Sequence, residues 1–351
     1  MTASTHAEIS RRLLEWYDGH ARALPWRNPP GAARPDDPAW PYRVWLSEVM
    51  LQQTTVAAVK PYFERFTATW PTVFDLAAAD EDAVMAAWAG LGYYSRARNL
   101  VKCAREVAER GGFPQDEEGL RALPGLGAYT AAAIAAIAFG KRAVVVDANV
   151  ERVVARLFAL REPLPSSRKA IRACADAITP ERRAGDFAQG LMDLGAQVCT
   201  TRAPRCLLCP LGELCEARAQ GDPETLPVKP AKKAKPERKG CAFWIERIGK
   251  AGREVWLVQR ERRGMLGGMR ALPDDGWSAR ADGDGAPPLV GAWESLGAVR
   301  HTFTHAHLTL EVRRIETGAS PEGEGQWWPL DRLDAAGLPT LFAKVAALAQ
   351  A

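Results

Sequence analysis

Residues 123–140 read LPGLGAYTAAAIAAIAFG, two glycines in a short turn followed by an alanine-rich apolar run that ends at Gly140. The run predicts a helix, and the Pro and Gly before it predict the end of another. Gly125 and Gly127 permit a tight hairpin between the two and let the backbone approach another molecule closely. The N–H groups at the start of the second helix would then face outward, where they suit a phosphate. A plain helix-loop-helix with a glycine cap carries the same pattern. The stretch therefore sets a helical architecture and leaves its use open.

Working outward, the texture stays helical on both sides. Downstream, AVVVDANVERVVARL (143–157) places Asp147 between an apolar run and a helix. As a cap, its carboxylate accepts backbone N–H bonds and feels the helix dipole, which keeps it ionised. Upstream, YRVWLSEVMLQQT (42–54) sets Glu48 among apolar neighbours, with Val44 and Trp45 one turn back and Leu51 and Gln52 one turn on. Lost hydration raises the pKa of such a carboxyl and favours a protonated form that can donate. One acid and one anion are what cleavage of a glycosidic bond requires: the first protonates the leaving group, the second stabilises the cationic sugar. Capping alone would justify Asp147, and a surface position alone would justify Glu48.

Beyond residue 240 the texture changes to short alternating runs such as REVWLVQRE (253–261) and FTHAHLTLEVRRIE (303–316), which predict strands. In FTHAHLTLEV the alternation puts Thr304, Ala306, Leu308, Leu310 and Val312 on one side and Phe303, His305 and His307 on the other. The chain of 351 residues, 47% of them hydrophobic, is long enough for two cores. The expected organisation is a mainly α domain over 1–225, a linker over 226–240 and a smaller α+β domain over 241–351. Within the linker, VKPAKKAKPERKG (228–240) carries six Lys/Arg against one Glu and reads as a solvated tether. The net charge of +4 does not by itself announce a nucleic-acid binder. The N-terminus has no apolar signal core and no segment suits a membrane span, so the expectation is a soluble cytoplasmic protein.

The cysteines sharpen the picture. CTTRAPRCLLCPLGELC (199–215) spaces Cys199, Cys206, Cys209 and Cys215 as C-x6-C-x2-C-x5-C. In a reducing compartment such a cluster is more often a metal site than disulfides. One loop can wrap four thiolates around a single centre, either tetrahedral zinc or a four-iron cluster. The same loop would present Arg202 and Arg205 to an anion.

Taken together and in order, LPWR (24–27), VWLSEVMLQQT, GLGYYSRARNL (90–100), LPGLGAYTA, VVDANVERV and the four cysteines closely resemble the MutY-type adenine DNA glycosylases of the helix-hairpin-helix base-excision superfamily. The resemblance spans essentially the whole chain and implies a helix-hairpin-helix glycosylase domain followed by a Nudix-like domain. It implies a 4Fe-4S cluster on the four cysteines, backbone contacts to DNA from Leu123, Gly125 and Gly127, and double-stranded DNA bearing adenine opposite 8-oxoguanine or guanine as partner. Glu48 would protonate N7 of the extruded adenine and later handle the water. Asp147 would stabilise the oxocarbenium ion, with Asn149 in support. Trp26, Arg27, Leu51 and Gln189 would line the adenine pocket, Gln52 and Tyr93 would wedge into the duplex, and Phe303, Thr304 and His305 would inspect 8-oxoguanine. Tyr129 stands where lyase relatives carry a Schiff-base lysine, which implies a monofunctional enzyme; a monomer is expected.

Two departures stand out. The insertion Asn28–Tyr42 lengthens the gap between Trp26 and Glu48, and LGGMRALPDDGW (266–277) lacks the acidic helix that a Nudix hydrolase uses to hold magnesium. The C-terminal half is therefore expected to read rather than hydrolyse. The alternatives are a pyrimidine-specific glycosylase/lyase of the endonuclease III type, against which Tyr129 and the extra domain argue, and a non-catalytic damage binder, against which the carboxylate pair argues.

Overall fold

The computed structural model describes residues 2–230, 234–249, 252–261 and 264–351. Its helices run α1 (Ala3–His20), α2 (Trp40–Leu51), α3 (Val56–Thr69), α4 (Val73–Ala78), α5 (Glu81–Trp88), α6 (Ser95–Glu109), α7 (Glu117–Arg121), α8 (Ala128–Phe139), α9 (Ala148–Leu157), α10 (Arg168–Ile178), α11 (Ala184–Gln197) and α12 (Glu216–Ala219). The chain divides into two compact units, residues 1–78 with 102–232 and residues 79–101 with 233–351. These units differ from the expected division in two ways. Residues 79–101 group with the C-terminal part, and the linker is much shorter than 226–240. Arg156 Nε donates to the Leu226 carbonyl at 3.0 Å and the Leu164 N–H to the Val228 carbonyl at 2.9 Å, tying that end to the first unit. Glu237 already opens the first strand. Its Lys/Arg composition concealed a run whose backbone pairs residue by residue with a neighbour. Residues 231–233 of the basic run lie outside the described residues.

In the first unit α8 is buried almost all round, from Thr130 through Ala136 and at Ala138. Small side chains let its neighbours close in. A close approach is made by α11, where a Cβ added at Gly185 would lie 2.5 Å from the Ala136 carbonyl oxygen of α8. At Gly190 it would lie 3.3 Å from Tyr17 Cβ of α1, and at Gly195 2.7 Å from Asn149 Cβ of α9. Three glycines five residues apart thus make α11 a spine against which three helices rest. The hairpin joins α7 to α8 as expected, but its residues differ in role. Gly125 is left-handed (φ +77°) and needs glycine, whereas Gly127 is extended (φ −85°, ψ 176°) at the start of α8. Leu123 is buried at 2% exposure and anchors the turn in the core.

The second unit is built on β1 (Glu237–Gly249), β2 (Gly252–Gln259), β3 (Arg270–Ala271), β4 (Glu294–Thr302), β5 (His307–Glu316) and β6 (Gly325–Pro329). The sheet order is β3-β2-β1-β5-β4, with β6 also on β2. β1 and β5 are parallel and the other pairs antiparallel. One face packs Trp244, Leu257, Leu308, Leu310 and Val312 against a final helix, α13 (Thr340–Gln350). The other gathers Phe243, Ile245 and Trp256 with Trp293 and Trp327. The alternation in β5 therefore holds from Leu308 onward. It does not reach Thr304, because residues 303–306 form the turn between β4 and β5, closed by the Phe303 N–H on the Ala306 carbonyl at 2.8 Å.

Candidate active site

Glu48 lies in the last two turns of α2, where every residue from Val44 to Met50 is buried, and is itself only 7% exposed. Tyr129, in the first turn of α8, donates its hydroxyl to Glu48 Oε2 at 2.7 Å, with Met192 Sδ of α11 3.9 Å from the same hydroxyl. Burial pushes the Glu48 carboxyl up from 4.5 to about 7; the Asp147 charge adds to the rise, while Tyr129 and Arg27 oppose it. The Tyr129 phenol is itself held well above its ordinary value, first by burial and then by the charge of Glu48.

Asp147 caps α9 as its sequence context predicts. Its Oδ1 accepts the N–H groups of Asn149 at 2.9 Å and Val150 at 2.7 Å, and its Oδ2 accepts Asn149 Nδ2 at 2.9 Å. Three donors fix the carboxylate in place. Glu48, Tyr129, Asp147 and Asn149 line one cavity of about 750 Å³ together with Trp26, Arg27, Leu51, Gln52 and Gln189. The two carboxyl groups thus share one chamber, large enough for a nucleoside.

Several expected residues hold positions that the sequence did not reveal. Arg27 lines the cavity, but its guanidinium is clasped by Asp193 of α11, with Nη1 to Oδ2 at 2.7 Å and Nη2 to Oδ1 at 2.9 Å. Gln189 is buried and donates to the Gly185 carbonyl at 3.3 Å. Gln52 donates to Thr130 Oγ1 at 3.2 Å. Tyr93 does not join this cavity. It belongs to the second unit, where its hydroxyl is 2.7 Å from Thr304 Oγ1 and where Tyr93, Phe303, Thr304 and His305 line a separate cavity of about 330 Å³. The structure therefore groups Tyr93 with the turn between β4 and β5 rather than with Gln52.

The four cysteines converge on one small cavity with Arg156, Arg205 and Arg218 in its lining. Arg156, 1% exposed, donates to Cys199 Sγ at 3.3 Å and to the Thr200 carbonyl at 2.7 Å. Four sulfurs with cations around them suit an anionic metal–thiolate centre. Among the described residues, no three His, Cys, Asp or Glu groups are gathered closely enough to hold one metal ion. Arg202 and Arg205 are exposed on this loop. Sequence reasoning missed Arg152, whose Nε donates to the Cys199 carbonyl at 2.7 Å while Nη2 donates to Asn149 Oδ1 at 2.9 Å and the Gly195 carbonyl at 2.7 Å. Its position three residues after Asn149, on the same helix face, was the available signal.

This fold and this chamber define a helix-hairpin-helix base-excision protein: residues 46–180 match the HhH-GPD superfamily of base excision DNA repair proteins, and residues 243–348 match the NUDIX domain. The adenine DNA glycosylase of Homo sapiens is 34% identical over 95% of this chain and 72% of its own length. That of Mycolicibacterium smegmatis is 42% identical over 60% of this chain and 70% of its own. The chain belongs to the adenine DNA glycosylase family. Among solved structures, a thermostable thymine-DNA glycosylase aligns with TM-score 0.54 and 29% identity over 62% of this chain and 98% of its own. A trapped endonuclease III–DNA covalent intermediate aligns with TM-score 0.52 and 24% identity over 63% and 99%, a likeness of fold.

Proposed function

We propose that this protein excises adenine from duplex DNA in which it stands opposite 8-oxoguanine or guanine, by hydrolysing the N-glycosidic bond. The observation that carries the reading is the shared chamber: a buried, protonatable carboxyl at 48 beside a carboxylate fixed by three donors at 147. The adenine must leave the base stack to enter it. The Glu48 proton passes to N7 as the bond to the sugar breaks and its electron pair stays on the purine. Asp147, oriented by Asn149, faces the positive charge left on the sugar. Water then adds to the sugar, and its proton returns to the Glu48 carboxylate. Tyr129 offers a hydroxyl and no amine at the chamber, which supports release of an abasic site rather than strand cleavage by a Schiff base and disfavours the endonuclease III alternative.

Trp26, Arg27, Leu51 and Gln189 enclose the base in this reading, Gln52 holds the duplex at the mouth, and the hairpin at Leu123, Gly125 and Gly127 and the exposed Arg202 and Arg205 meet phosphates. Phe303, Thr304 and His305, with Tyr93, read the opposite base. The four cysteines would hold a 4Fe-4S cluster, whose contribution when bound is to stiffen the loop that carries the two arginines. We place the protein in the cytoplasm, at the nucleoid, acting as a monomer; no helix among the described residues is long and apolar enough to cross a membrane.

The test is incubation with duplexes carrying A, T or an oxidised pyrimidine opposite 8-oxoguanine or guanine, followed by alkali. Cleavage is expected only where A was present and only after alkali. Glu48→Gln is expected to bind the A:8-oxoguanine duplex and release no base. Normal turnover by that variant, or excision of pyrimidines by the parent, would refute the assignment.

A further inference from the structure

Asp193 is a fully buried carboxylate (0% exposed) in the middle of α11, and the chemistry above makes no use of it. It is nevertheless the ion-pair partner of Arg22 and Arg27, both of which line the chamber. Arg27, its side chain 7% exposed, meets it through two hydrogen bonds, and Arg22 adds Nε to Oδ1 at 2.7 Å and its backbone N–H to Oδ2 at 3.0 Å. Burial works against the charged form of Arg27 and the Asp193 pairing outweighs it, so the guanidinium keeps its charge. That cation lines the same cavity as Glu48 and acts on it electrostatically. Glu48 is the other carboxyl whose charge Arg27 feels, and an ion pair between an unclaimed guanidinium and Glu48 would take away the proton that the leaving base requires.

We propose that Asp193 is a positioning residue that claims Arg27 for the chamber wall and so keeps it from forming an ion pair with Glu48. The proposal rests on the function given above and concerns how the acid is kept usable. The groups that face Glu48 are Tyr129 from α8, Asp147 at the start of α9 and Arg27 from the segment after α1. Those around Asp193 are Arg22 and Arg27, with the Tyr17 hydroxyl of α1 close enough to feel all three charges. Of these only Arg27 acts on both carboxyls as a cation. The triad carries two positive charges and one negative, and Arg22, its side chain 29% exposed, can turn to water when released, whereas Arg27 cannot.

Two double variants with the same net charge separate this role from a merely structural one. Asp193→Asn with Arg22→Gln leaves Arg27 without its partner; Asp193→Asn with Arg27→Gln removes the cation that would intrude. The readout is the pH midpoint of Glu48, followed in two ways. One is the pH profile of single-turnover adenine excision. The other is the infrared carboxyl band that disappears on adding Glu48→Gln to each background. In the parent the midpoint is expected at about 7. With Arg27 left unpaired it is expected to fall by about one to three units, which slows excision at pH 8 by roughly tenfold or more and restores it as pH is lowered. With Arg27 removed it is expected not to fall, and to rise slightly, because the cation that opposes the protonated form is gone. Midpoints that move together in both variants, or in neither, would overturn the proposal. The infrared midpoint needs no turnover, so it decides the matter even if the parent excises no base; that result would refute the assigned function alone.

Discussion

A buried carboxyl kept protonated for catalysis costs stability once it ionises, and Glu48→Gln measures that cost. The folded protein holds the Glu48 proton with a midpoint of about 7 against an ordinary value of 4.5. Between those values the folded state binds more protons than the unfolded chain, so stability falls as pH rises through this window and levels off above it. At about 1.4 kcal/mol per unit, the loss complete by pH 8 is about 3 kcal/mol. Glutamine has nearly the shape of the protonated acid and can accept the Tyr129 hydroxyl as Glu48 does at 2.7 Å, so the two proteins should be equally stable near pH 4.5. By pH 8 the variant should be the more stable by about 3 kcal/mol while excising no base. The assay is urea unfolding of both proteins at intervals from pH 4.5 to 8, followed by helical circular dichroism, with the difference between them plotted against pH. Titrating groups that do not interact with Glu48 cancel in that difference. A difference that stays flat with pH, or favours the parent at pH 8, would refute both the burial argument and the identification of Glu48 as the acid.

Three further outcomes follow from contacts around the chamber. Gly195→Ala must move Asn149 Cβ from 2.7 Å to the 3.4 Å of ordinary contact, a shift of about 0.7 Å. Because displacements of about 1 Å cost up to about 100-fold in rate, single-turnover excision should fall tenfold or more, with about 1–3 kcal/mol of stability lost on thermal unfolding. Arg152→Gln removes charged hydrogen bonds to the Cys199 and Gly195 carbonyls and to Asn149 Oδ1. Excision should slow at every pH without any movement of the midpoint, and stability should drop by about 2 kcal/mol or more. Tyr93→Phe deletes the bond to Thr304 Oγ1. Its effect should show as a severalfold loss of preference for 8-oxoguanine over guanine opposite the adenine, measured as a ratio of excision rates, with little change in excision opposite guanine.

What could be read from sequence and what could not divides along a physical line. The buried carboxyl, the capping carboxylate and the clustered cysteines were legible because each depends on local context: Glu48 on its apolar helical neighbours, Asp147 on the cap that it forms two residues before Asn149, the thiols on spacing within a single loop. Asp193 and Arg152 act through partners 166 residues away at Arg27 and 47 away at Cys199, and a linear pattern does not record such pairings. The same limit applies to the basic run, since Arg238 and Lys239 look like a solvated tether until β5 supplies a strand to pair with. Tyr93 shows the limit at its clearest. Its motif adjoins helical sequence, yet its hydroxyl meets a turn 211 residues later. The residues that sequence identified line the chamber, and those it missed hold the lining in place through hydrogen bonds. A survey of variants confined to recognisable motifs would therefore test Glu48 and Asp147 while overlooking the Asp193–Arg27 and Arg152–Asn149 contacts behind them.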